Sequence, residues 1–126
     1  MMKILIIEDN PANMKLVTNI LELSGYPVLQ AYNAETGISL AKAELPDLIL
    51  MDIMLTGMDG LSASKILKND ESTRDIPIIA MTSMVMRSDD EKLKEAGCDM
   101  YISKPFSYKE FLEIVRSFSE NPLKDR

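Results

Sequence analysis

Apolar residues run through this chain in two rhythms. Three short runs, Ile4-Leu5-Ile6-Ile7, Leu48-Ile49-Leu50-Met51 and Ile78-Ile79-Ala80-Met81, are apolar throughout and have the length of strands buried on both faces. After the first run the rhythm changes: Met14, Val17, Ile20, Leu21 and Leu23 recur at helical spacing. Asn10-Pro11 supplies a cap and a first-turn proline, and Gly25 closes the segment. The same alternation predicts strands at 3–8, 27–31, 47–52, 76–82 and 99–103, and further helices at 34–44, 60–69, 88–96 and 107–119. Five strands alternating with five helices over short connections predict an α/β fold: a doubly wound, five-stranded parallel sheet with right-handed crossovers and helices on both faces. Strand 2, Val28-Leu29-Gln30-Ala31-Tyr32, and strand 5, Met100-Tyr101-Ile102-Ser103, are more mixed and suit the edges, so the expected order is 2-1-3-4-5, the flavodoxin-like arrangement.

That order brings the carboxyl ends of the strands together. Glu8 and Asp9 follow strand 1, Asp52 ends strand 3, Thr82 ends strand 4 and Lys104 follows strand 5. Open parallel sheets bind ligands in the crevice where strand order reverses, here between strands 1 and 3. Three acids gathered there repel one another unless a cation neutralises them, and an all-oxygen set suits a hard divalent ion such as Mg²⁺. Singly, each group has an ordinary reading: an acid or Thr82 as a helix cap, Lys104 as a surface lysine. Their shared position at strand ends makes a site. By contrast Asp89-Asp90-Glu91 opens a helix, where acids complement the dipole, and reads as structural.

Composition narrows the class. With 126 residues and 46% hydrophobic content, the expectation is one domain over 1–120 and a short polar tail, 121–126. The single cysteine, Cys98, forms no internal disulfide and reads as a small buried hydrophobe. No run reaches the roughly 18 apolar residues of a membrane span. The start, Met1-Met2-Lys3-Ile4, passes directly into a strand, so the expected location is the cytoplasm, without membrane contact. Fourteen basic against 20 acidic residues, a net charge of −6, argue against nucleic acid as a partner. Of ten methionines, Met51 and Met81 are expected in the core, Met84 and Met86 on a surface that contacts partners.

Ile7-Glu8-Asp9-Asn10, Asp47 through Asp52, Met58-Asp59-Gly60, Ile79-Ala80-Met81-Thr82-Ser83 and Tyr101-Ile102-Ser103-Lys104-Pro105-Phe106 together resemble the receiver domain of two-component response regulators. The resemblance covers nearly the whole chain. Through Asn13-Met14-Lys15-Leu16 and Ala96 to Ser103 it runs to single-domain cell-division regulators. It implies that Asp52 is the phosphoacceptor, consistent with carboxylate nucleophiles in covalent catalysis. It implies Mg²⁺ or Mn²⁺ held by Asp9, Asp52 and the backbone carbonyl of Met54, with Glu8 acting through water. Lys104 and Thr82 then meet the phosphoryl oxygens, since positioning and charge neutralisation are most of what phosphoryl transfer requires. Thr82 with Tyr101 forms the implied switch, and a cis bond is implied before Pro105. Met54 and Met84, each two residues beyond a site residue, offer no group to orient a hydrolytic water, so slow dephosphorylation is expected.

No histidine occurs in the chain, so the donor histidine belongs to a histidine kinase or phosphotransfer protein. With no output domain after residue 119, a stand-alone phosphoacceptor switch rather than an enzyme is expected, acting on a downstream protein through helix 88–96, strand 99–103 and helix 107–119. A receiver excised from a larger hybrid kinase or regulator is an alternative. An aspartyl-nucleophile phosphatase needs Asp-x-Asp after strand 1, where this chain has Glu8-Asp9-Asn10. A flavodoxin-like cofactor binder needs a phosphate-cradling loop, where Asp9-Asn10-Pro11-Ala12 offers acid.

Overall fold

The computed structural model describes residues 2–83 and 87–119, without the side chains of residues 87–90. Met84, Met86 and the tail 121–126 lie outside the described residues, as do the side chains of Asp89 and Asp90. Among the described residues ten elements alternate: β1 (Ile4–Ile7), α1 (Pro11–Leu23), β2 (Val28–Ala31), α2 (Ala34–Glu44), β3 (Leu48–Asp52), α3 (Gly60–Asn69), β4 (Ile78–Thr82), α4 (Arg87–Glu95), β5 (Met100–Ser103) and α5 (Tyr108–Ser119). The sheet is parallel throughout, in the expected order β2-β1-β3-β4-β5.

Strand alternation sorts the core into two layers. Leu5, Ile7, Ile49, Met51, Ile78 and Ala80 pack against Ala34 and Ala41 of α2, Ala63 and Leu67 of α3 and Leu93 of α4. Ile4, Ile6, Leu48, Leu50, Ile79 and Met81 face Met14, Val17 and Leu21 of α1 and Phe111 and Val115 of α5. Met51 and Met81 are fully buried, as expected. Cys98 is only half-buried, its thiol 3.7 Å from Ser64 Oγ, and burial raises its pKa, which favours the unreactive thiol.

Small departures at element ends have local causes. β2 and β4 begin after Pro27 and Pro77, which cannot donate to the ladder; their carbonyls accept instead from Ile4 and Ile49. Ser107 lies before α5 rather than in it, its Oγ accepting from the Glu110 N–H at 3.1 Å. Asn10 caps α1, accepting from the N–H groups of Ala12 and Asn13 at 2.9 and 3.1 Å. Gly25 takes a φ of +92° just beyond the helix, a conformation that costs glycine little. At the opposite end of the sheet, Lys68 ties α3 to β5: its ammonium donates to the carbonyls of Arg74 and Ile76 and to Asp99 Oδ2 at 3.0 Å.

Candidate functional site

Register decides which side chains meet. Ile7 pairs with Met51, Asp52 with Met81, and Thr82 with Ser103, so the strands finish nearly level. Period-2 alternation then points Glu8, Asp52 and Lys104 to the same side of the sheet as Ile6, Leu50 and Ile102. Lys104 Nζ lies 3.4 Å from Glu8 Oε1 and 3.3 Å from Asp52 Oδ1. The Lys104 N–H donates to the Thr82 carbonyl at 2.7 Å, and the Lys104-Pro105 bond is cis.

Oxygens of Glu8, Asp9 and Asp52 lie within 4.8 Å of one another. Glu8 and Asp52 are buried, while Asp9 is half-exposed. Backbone donors fix two of the three: the Asn10 N–H bonds Glu8 Oε2 at 3.1 Å, and the Met54 N–H bonds Asp52 Oδ1 at 3.1 Å. Asp9 is held from the other loop, where the Thr56 N–H and hydroxyl both donate to Oδ2, at 2.9 and 2.7 Å. These two bonds keep the Asp9 carboxyl below its ordinary pKa. Thr82 is fully buried at the end of β4, and Tyr101 is 41% exposed on β5. A groove of about 410 Å³, walled by Asn13, Leu16, Val17, Met81 and Phe106, opens onto Glu8 and Lys104.

Among the described residues, the three carboxylates meet one ammonium, Lys104, which pairs with Glu8 and Asp52, so the cluster keeps excess negative charge when all three are ionised. The protein's response falls on Glu8, whose pKa is raised to about 7, first by burial and then by its contact with Asp52. An acid whose folded pKa exceeds its unfolded value favours folding when protonated. In metal-free buffer, stability is therefore expected to fall as pH rises from about 4.5 through about 7, by on the order of 3 kcal/mol. Glu8→Gln should flatten this slope in denaturant titrations; an unchanged slope would place the strain elsewhere. The all-oxygen donor set and the charge deficit fit a hard divalent cation held between the β1–α1 loop and the end of β3.

The expected site residues Glu8, Asp9, Asp52, Thr82 and Lys104 thus converge at the carboxyl ends of β1, β3, β4 and β5, while Met54 presents its N–H to Asp52 and an exposed side chain to solvent. Two participants had no part in the sequence reading of the site. Thr56 is one; Gly60 is the other, pressed against the backbone of Asp52 and Ile53. Acids, a hydroxyl and a lysine thus share the carboxyl edge of one doubly wound parallel sheet, the arrangement that the resemblance to receiver domains implies. The chain belongs to the response regulator receiver domain family of two-component signalling, whose model matches residues 4–116. The polar-differentiation response regulator DivK of Brucella anthropi is 44% identical over 115 residues, 91% of this chain and 94% of that protein. A CheY-like receiver from Methanospirillum hungatei shares the fold at a TM-score of 0.90 and 27% identity, covering 100% of this chain and 99% of its own. The receiver domain of a Pseudomonas aeruginosa sensor histidine kinase, solved with magnesium coordinated in its active-site cleft, gives 0.86 at 33% identity, over 93% and 96% of the two chains. Among the described residues, no helix is long and apolar enough to cross a membrane.

Proposed function

We propose that this receiver accepts a phosphoryl group on Asp52 from a phosphohistidine of a kinase or phosphotransfer protein, and that the modification changes its affinity for a protein partner. The observation that carries this reading is the Asp52 carboxylate, buried at a strand end, 3.3 Å from the Lys104 ammonium and clustered with two further acids. An Asp52 oxygen forms the new P–O bond as the P–N bond to the donor imidazole breaks. Lys104 moves from carboxylates to the incoming phosphoryl oxygens, and the hydroxyl of Thr82, buried at the end of β4, donates to another in this reading. The groove between α1 and Phe106 gives the donor side chain its approach. Asp9, Asp52 and the Met54 carbonyl would hold Mg²⁺, with Glu8 acting through water. The bound ion supplies charge neutralisation for the transferring group.

Tyr101, on the β5 edge, carries the change to the face of α4, β5 and α5, where a partner reads it. Met54 offers the acyl phosphate a thioether and no water-orienting group, which supports a long-lived phosphorylated state reset by a partner. Likeness to a polar-differentiation response regulator supports a role in polar differentiation; the proposed place of action is the cytoplasm. The test is phosphorylation by acetyl phosphate or a purified kinase across a Mg²⁺ titration. Hydroxylamine-sensitive label is expected with Mg²⁺ and a loss of at least about 100-fold in EDTA; equal labelling in EDTA would remove the metal from the account.

A further inference from the structure

We propose that Thr56 is a positioning residue for the divalent cation, setting both the affinity of the site and its preference for a small ion. The inference rests on the metal reading above and concerns a residue that takes no part in it. Glu8 and Asp52 are each restrained by a backbone N–H two residues further along, and both are buried. Asp9 has neither advantage. It is half-exposed, and both of the donors that restrain it come from one residue 47 positions away.

Both Thr56 bonds land on Oδ2, so the carboxylate keeps Oδ1 for a cation while its plane is fixed. They also tie the β1–α1 loop to the β3–α3 loop, so the gap between Asp9 and Asp52 is set by Thr56. Hydrogen-bonded partners of ligating carboxylates commonly change metal affinity by about 10- to 100-fold. Mg²⁺ demands near-ideal octahedral geometry at about 2.0–2.1 Å, whereas Ca²⁺ accepts six to eight ligands at about 2.3–2.6 Å in flexible arrangements. Fixing Asp9 therefore matters more to magnesium than to calcium.

The experiment uses the full chain and titrates magnesium alone and calcium alone, following amide chemical shifts. Thr56→Val keeps the β-branch and the backbone donor and removes the hydroxyl from an exposed position; Thr56→Ser restores the hydroxyl. Thr56→Val is expected to weaken magnesium binding about tenfold and calcium binding less than about threefold, with Thr56→Ser near wild type and all melting temperatures in EDTA unchanged. Unchanged or tighter magnesium binding by Thr56→Val would overturn the inference, as would equal losses for both ions unrelieved by serine. A wild-type chain that binds neither ion would overturn the metal reading and this inference with it.

Discussion

Asp52→Asn is expected to accept no detectable phosphoryl group from any donor while folding as the wild type does. The amide is nearly isosteric, and its oxygen still accepts from the Met54 N–H, so the loop after β3 keeps its shape. An amide oxygen lacks the charge that makes a carboxylate a nucleophile. Lys104 loses one of its two carboxylate partners, but buried Glu8 loses a neighbour that raises its pKa. In metal-free buffer the melting temperature should therefore hold or rise. Labelling with acetyl phosphate, read beside a thermal melt, checks both halves: residual label at the wild-type rate would move the acceptor elsewhere, and a large loss of stability would show that Asp52 is needed for folding.

The second large effect is structural and acts on the same residue. Asp59 caps α3 through the Ser62 N–H at 2.7 Å, and Gly60 begins the helix with its N–H on the Ile53 carbonyl. A Cβ at Gly60 would meet the Asp52 carbonyl oxygen, and would lie 2.8 Å from Ile53 Cα and 3.0 Å from the Asp52 carbonyl carbon. These are backbone atoms, and no rotamer change relieves the contact. Gly60→Ala is expected to cost about 3 kcal/mol, lowering the melting temperature by roughly 10 °C. Because the atoms that must yield belong to Asp52 and Ile53, phosphorylation should also slow at temperatures where the variant is folded. A variant melting within about 1 °C of wild type and labelling normally would show that the helix can shift without cost.

The fold was legible because its three central strands are fully buried: uninterrupted apolar runs such as Ile4 to Ile7 and Leu48 to Met51 leave little choice but the centre of a parallel sheet. The convergence of Glu8, Asp52 and Lys104 followed from strand order and their positions at strand ends. Contacts that depend on loop geometry were not legible. Thr56, four residues beyond Asp52, carries no periodic signal, and its hydrogen bonds reach an acid in a different βα unit. Gly60 read as the start of a helix, whereas its close approach to β3 is a tertiary fact. Lys68 carried no signal in the sequence, yet its ammonium is satisfied by three oxygens at the amino end of β4 and β5. Half-burial of Cys98 likewise depends on where α4 and β5 sit, and hydrophobicity of the residue alone did not give it.

The most direct measurement of the central claim is chemical identification of the modified residue. Reduction of the phosphorylated protein with borohydride converts an aspartyl phosphate to homoserine, and peptide mass mapping then locates it. Homoserine is expected at position 52 alone, formed only when Mg²⁺ was present during phosphorylation. Homoserine at position 9, or a borohydride-resistant phosphate on Ser83 or Thr82, would contradict it.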